Sequence, residues 1–180
     1  MIRAINLILG LVKTSLIKVF HAKRFVIKGI VKVHPSAQIE LLSGGKIILG
    51  SRCSIGKDAE IASVSGNVVI GNNVHIGDFC MIIARDNIEI GDNTIFGPHI
   101  YIYDHDHAVD DIGVVKRSEY KTKPVTIGSN VWVGTNTVIL KGTNIGDGCI
   151  IGAGSVISGT IPPHTKVVQK RFNRENEGKI

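Results

Sequence analysis

The segment Tyr103-Asp104-His105-Asp106-His107 sets two imidazoles and two carboxylates within five residues, and Asp110 and Asp111 follow closely. An imidazole, with an ordinary pKa near 6.5, can take a proton from an attacking hydroxyl at neutral pH. Alternating acids and histidines could equally hold a metal ion. On chemistry alone His105 and His107 are both candidate bases. The three cysteines, Cys53, Cys80 and Cys149, are odd in number and lack CxxC spacing, which argues against a disulfide framework and against a zinc site. Glycine pairs at 146 and 148, and at 152 and 154, have the look of a nucleotide-binding loop, but the repeat described next accounts for them.

These residues are carried by an internal repeat. An aliphatic residue or Phe followed by Gly occurs at Leu49, Ile55, Ile70, Ile76, Ile90, Phe96, Ile127, Val133, Ile145 and Ile151. The pairs lie six residues apart, and a third aliphatic follows each at Ile61, Ile82, Ile102, Ile139 and Ile157. The unit is therefore three hexads, and it occurs five times, with an upstream fragment from Val33 to Ile39 that looks like a degenerate first coil. Every insertion falls after a third hexad, on one edge of the repeating body. In each hexad the first residue faces inward, small polar residues or Gly turn the corner, and the fifth residue must be small because it also faces the interior. Short strands then stack at about 4.8 Å into a parallel β-helix, with each coil burying its neighbour's core. All three cysteines occupy fifth positions, so they read as small core residues.

The long insertion, about residues 103–126, opens with the histidine cluster; such a loop in an economical repeat is usually functional or disordered. His34, His75, His99 and His164 fall at outward or terminal positions and read as solvated or subunit-contact residues. Trp132, the only tryptophan, is outward in the first hexad after the loop and requires a partner or a ligand.

The net charge of +6 is uneven. Residues 1–33 hold seven bases (Arg3, Lys13, Lys18, Lys23, Arg24, Lys28 and Lys32) and no acid, so 14 bases and 15 acids remain for the rest. A near-neutral body weakens any reading as a nucleic-acid binder. Ile5, Ile8, Leu9, Val12, Leu16, Val19 and Phe20 follow helical spacing, so residues 1–32 read as a basic amphipathic arm. Two roles stay open for it: a cap on the open end of the β-helix, or an interfacial helix on anionic lipid. No apolar run reaches the roughly 18 residues that cross a bilayer. A charge at Arg3 and an apolar stretch imitate a leader, but no small-x-small cleavage site follows. The expected setting is cytoplasmic and reducing.

The hexads Ile-Gly-x-x-Ser/Thr/Val-x, closed by Ile161-Pro162-Pro163, resemble the bacterial hexapeptide-repeat acyltransferases over about residues 33–165. The resemblance implies a left-handed β-helix, a homotrimer with sites between subunits, and acetyl-CoA as cosubstrate without a metal. It is nearest to the galactoside and maltose, the xenobiotic and the capsule or colanic-acid acetyltransferases. In those, the His at the start of this loop is the general base; counted without gaps from Phe96 it falls on His107, with His105 as the competitor two residues earlier. His107-Ala108-Val109-Asp110 matches their His-x-aliphatic-polar pattern. Their Asn-Val-Trp-Ile-Gly segment matches Asn130-Val131-Trp132-Val133-Gly134, which places Trp132 at the border of the site. The same alignment makes the amide of Thr135 an oxyanion donor and sets Ala153, Ser158 and Gly159 along the acyl-CoA path. The γ-class carbonic anhydrases share this fold, but their ligand spacing differs from the six and two residues that separate His99, His105 and His107.

Two features depart from the family. Val168-Gln169-Lys170-Arg171-Phe172 replaces its usual Gly-x-Pro-Ala/Cys-Lys/Arg turn, and coil two lacks a match for its acceptor-positioning polar residues. The expected organisation is an arm over 1–32, an acyltransferase β-helix over 33–165 and a tail over 166–180. The expected function is O-acetylation of a sugar or lipid-linked sugar in surface polysaccharide synthesis. N-acetylation of an amino sugar, xenobiotic acetylation and a non-catalytic scaffold are the alternatives.

Overall fold

The computed structural model describes residues 2–169, and side chains from residue 4 onward. After a helix over Ile2–Phe20, the chain winds into a parallel β-helix with three faces. The first face carries seven strands from Phe25–Ile27 to Thr160–Ile161, and the second carries seven from Lys32–Val33 to Lys166–Val167. The third carries six, from Gln38–Leu41 to Val156–Ile157. Residues one repeat apart pair directly, as in Ile55 with Ile76, Ile82 with Ile102 and Ile145 with Ile161. The inward first positions of all fifteen hexads from Leu49 to Ile157 are buried, so the core is a column of stacked Ile, Val, Leu and Phe.

The fifth positions explain why small donors recur there. Val131, Thr137, Thr143, Cys149 and Ser155 are all buried. Thr94 Oγ1 donates to the Gly128 carbonyl at 2.9 Å, and Cys53 and Cys149 Sγ donate to Gly71 and Pro162 carbonyls at 3.0 and 3.1 Å. A small side chain with a hydrogen thus fills the corner and satisfies a backbone acceptor of the adjoining coil or, as Ser155 does at Gly152, of its own. The cysteines are free thiols.

The coil count differs from the sequence expectation. Six complete coils are present rather than five, followed by a partial seventh, because the fragment around Val33–Ile39 belongs to a full turn. That turn begins at Phe25, inside the stretch assigned to the arm, with Phe25, Val26 and Ile27 registered on Ile47, Ile48 and Leu49. Phe25 is fully buried. No aliphatic-Gly pair marks this coil, since Ile27 precedes Lys28 and Val33 precedes His34. Of the segment assigned to the C-terminal tail, residues 170–180 lie outside the described residues.

The helix packs on the first coil through an unexpected face. Gly10 and Thr14 are buried, Ile17 packs on the core, and a Cβ at Gly10 would run into the Val33 carbonyl. Lys13 Nζ donates to the carbonyls of Pro35, at 3.0 Å, and Ala37. The seven apolar residues singled out by their spacing are all exposed. No helix among the described residues is long and apolar enough to cross a membrane.

Candidate active site

The insertion forms a two-stranded antiparallel hairpin, His105–Val109 against Val115–Thr122, rising from the edge between the third and first faces. Its base is fixed by Asp104, a fully buried carboxylate. Asp104 accepts the backbone N–H groups of Arg85 at 2.9 Å and Asp86 at 2.7 Å, and its Oδ1 lies 3.0 Å from His105 Nδ1. A second tie joins Lys141, one coil on, to Asp106. At the tip, Asp110 accepts the Ile112 and Val114 amides and pairs with Lys116, and these bonds hold its carboxyl below the usual range. Gly113 sits at φ +85°, where a side chain would be strained.

His105 and His107 have different surroundings. His105 is half-buried among Asp104, Tyr103 and Tyr120, with edge-on ring contacts to both tyrosines. His107 is exposed, pairs across the hairpin with Tyr120, and lies against its ring at 4.7 Å. His107 Nδ1 is 3.2 Å from the Lys116 carbonyl. A carbonyl can only accept, so Nδ1 donates there, and in the neutral imidazole Nε2 then holds the lone pair. The guanidinium of Arg85 also lies over the Tyr120 ring, 3.4 Å from its centroid. Sequence reasoning missed Tyr120 and Arg85 beside this histidine, and Asp104 and Lys141 as ties of the hairpin base; a lone loop tyrosine facing the cluster was the available signal.

A concavity of about 500 Å³ runs along the edge between the second and third faces. Trp132, Thr135, Gly152, Ala153 and Lys166 line it, with Gly97 and Pro98 at one end. Trp132 is 55% exposed and flanked in register by Ile95 and Ile150, which are themselves partly exposed.

The backbone at this edge is unusual within the repeat. On the edge between the first and second faces four corner amides in successive coils are capped by the adjoining coil. Ser51 N–H donates to Asn72, Asn72 to Asp92, Asp92 to Ser129 and Ser129 to Asp147. On the groove edge, among the described residues, such caps gather in the early coils, where Lys57 N–H donates to Asp78 at 2.7 Å and Asp58 N–H to Ser36 at 3.1 Å. The corner then passes to Pro98, Thr135 and Ala153, where no carboxylate or amide side chain stands above. The Thr135 and Ala153 N–H groups have no acceptor among the described residues, so they are available to a ligand oxygen.

Ser158 and Gly159 lie elsewhere. They follow the strand Val156–Ile157 and turn onto the hairpin edge, where Asn144 N–H donates to the Gly159 carbonyl. One chain therefore divides the sequence-derived residues between two edges: His105, His107, Ser158 and Gly159 on one, Trp132, Thr135 and Ala153 on the other. Among the described residues no three His, Cys, Asp or Glu side chains converge as metal ligands would.

Residues 124–159 match the bacterial transferase hexapeptide (six repeats) family. The galactoside O-acetyltransferase of Escherichia coli is 39% identical over 52% of this chain and 49% of its own length. The putative lipopolysaccharide biosynthesis O-acetyl transferase WbbJ of the same organism is 30% identical over 62% of this chain and 64% of its own. This chain spans about half to two-thirds of the length of the curated relatives it matches. Among solved structures, a single-residue mutant of AntD, an N-acyltransferase from Bacillus cereus, in complex with dTDP-4-amino-4,6-dideoxyglucose and coenzyme A, superposes with a TM-score of 0.71. That match is 20% identical and covers 86% of this chain and 85% of the other, a likeness of fold.

Proposed function

As this chain belongs to the hexapeptide-repeat transferase family, we propose that it transfers an acetyl group from acetyl-CoA to a sugar hydroxyl, with His107 as general base. The observation that carries this is the 3.2 Å contact of His107 Nδ1 with the Lys116 carbonyl, which in a neutral imidazole leaves Nε2 as the basic nitrogen of an exposed side chain. The acceptor hydroxyl gives its proton to Nε2 as its oxygen attacks the thioester carbonyl carbon. The oxyanion so formed accepts from the Thr135 N–H. When the C–S bond breaks, the imidazolium returns the proton to the departing CoA sulfur, leaving an acetyl ester and free CoA.

His107 and Thr135 lie on different edges of one prism, so a single chain does not assemble this site. A ring of three chains joined by one repeated contact sets the hairpin edge of each against the groove edge of the next. Trp132, with Ile95 and Ile150, then lies at a subunit boundary beside the acyl donor, and Ser158 and Gly159 reach the donor from the neighbouring chain. Two relatives, named a galactoside O-acetyltransferase and a putative lipopolysaccharide biosynthesis O-acetyl transferase, support a sugar hydroxyl as the acceptor, and we take it to belong to a surface polysaccharide or its lipid-linked precursor. The cytoplasm, which supplies acetyl-CoA, is the corresponding place of work, at the inner face of the membrane where such precursors are held.

The test is CoA release by purified protein given acetyl-CoA and a panel of sugars, amino sugars, nucleotide sugars and lipid-linked sugars. Release with hydroxyl acceptors supports the reading. Transfer to amines alone redirects it to N-acetylation, and no binding of acetyl-CoA leaves a scaffold. Mixing His107→Ala chains with Thr135→Pro chains tests the shared site, because mixed rings regain intact boundaries. Activity above that of either parent is the expected result, and none would place both residues' roles within one chain.

A further inference from the structure

The N-terminal helix presents two faces, and only one is used by the fold. At about 100° per residue, Gly10, Lys13, Thr14 and Ile17 share the side that meets the first coil. Ile5, Ile8, Val12, Leu16 and Val19 share the side turned away, with Leu9 and Phe20 at its border. All seven are exposed, Val19 and Phe20 by 75% and 78%. The small residues make docking close: Gly10 lets the helix backbone reach Val33, and the Thr14 hydroxyl turns back onto the Gly10 carbonyl at 3.0 Å. The larger apolar residues are thus left without a partner among the described residues, a contiguous patch of a kind that marks an interaction surface.

Charge identifies the partner. Lys18, Lys23, Lys28 and Lys32 are exposed around the same end of the molecule, and residues 1–33 contain no acid. A second copy set against this face would bring two such basic ends together, so self-association through it is opposed by like charge. An anionic partner that also accepts aliphatic side chains meets both requirements. We infer that this helix face docks the protein on a bilayer surface bearing anionic lipid, with the stripe from Ile5 to Phe20 in the headgroup–acyl boundary and the lysines at the phosphate level. The helix lies along the surface, since it is not long and apolar enough to cross it. The inference does not rest on the acyl-transfer reading.

The experiment is co-sedimentation of the full chain with phosphatidylcholine vesicles that either contain or lack phosphatidylglycerol. Binding is expected only with the anionic lipid, and release as salt rises from about 0.05 to about 0.5 M, since that shortens the screening length. Val12→Ser with Leu16→Ser alters only exposed positions and should cut partitioning about tenfold or more. Lys18→Ala and Lys23→Ala should each cost roughly fivefold at low salt. The serine variant should keep the parent's melting temperature, assembly mass and acetyl-CoA binding, so a lost transferase activity cannot be mistaken for lost docking. Equal binding to both vesicle types, or to neither, overturns the inference. So does an assembly that the serine variant reduces to half its mass, because a second copy would then cover the face.

Discussion

Replacing each of the two hairpin histidines by alanine should separate catalysis from stability. His107 is exposed, and its contacts are one hydrogen bond to the Lys116 carbonyl and the Tyr120 ring. Losing a surface hydrogen bond costs about 1 kcal/mol or less, so the melting temperature of His107→Ala should move by no more than about 2–4 °C for a chain of this size. Its turnover should fall by roughly 10²–10⁴-fold, the usual range for a lost general base, or about 3–5 kcal/mol of barrier. His105→Ala should show the opposite pattern. His105 Nδ1 lies on the carboxylate of Asp104, and the two side chains are 14% and 0% exposed. Its removal leaves that buried charge with only the Arg85 and Asp86 amides, at a cost of about 1–3 kcal/mol. Thermal melts paired with CoA release at saturating acetyl-CoA measure both quantities. If His105→Ala abolishes turnover with an unchanged melt while His107→Ala stays active, the tautomer argument is wrong and the base is His105.

Thr135→Pro should lower turnover about 10²–10³-fold while acetyl-CoA binding, measured by calorimetry, is kept; Pro98 already occupies the equivalent corner one coil earlier, so the fold can accept the ring. The three cysteines should be fully titratable after denaturation without reductant and slow in the native protein. Burial pushes the Cys80 thiol up to about 11, so at pH 8 its thiolate fraction is on the order of one in a thousand, and a fast-reacting Cys80 would refute its placement. Deleting residues 1–32 should lower the melting temperature sharply or cause aggregation, because it removes the buried Phe25 and the strand paired with Ile47–Leu49. Loss of a buried Phe alone costs about 3–5 kcal/mol. A shortened chain that melts like the parent would show that the first coil is dispensable.

The period-six pattern from Leu49 to Ile157 was sufficient to derive the β-helix, its inward column and the edge that carries every insertion. Each coil repeats the same local geometry, so spacing in sequence maps directly onto place in the prism. The same arithmetic stopped short at Phe25–Leu41. That coil turns its corners without aliphatic-Gly pairs, and only its pairing with Ile47–Leu49 identifies it as a coil.

Helical spacing showed that Ile5 to Phe20 form one apolar face, but not which way the face turns. The close packing of Gly10 against Val33 decided that, because a small face can approach a flat coil end more nearly than a bulky one. Within the insertion no periodicity operates, so sequence offered two histidines and a family likeness to choose between them. Burial separates them: His105 is held by a buried carboxylate, while His107 projects from the hairpin with its tautomer set by a carbonyl contributed from the opposite strand. Which corner amides stay open also depends on what the adjoining coil places above them, as Asp78 does for Lys57 and Ala153 does not for Thr135. Residue type and period determine a coil, whereas a site depends on contacts between residues distant in the chain, and those exist only once the coils have stacked.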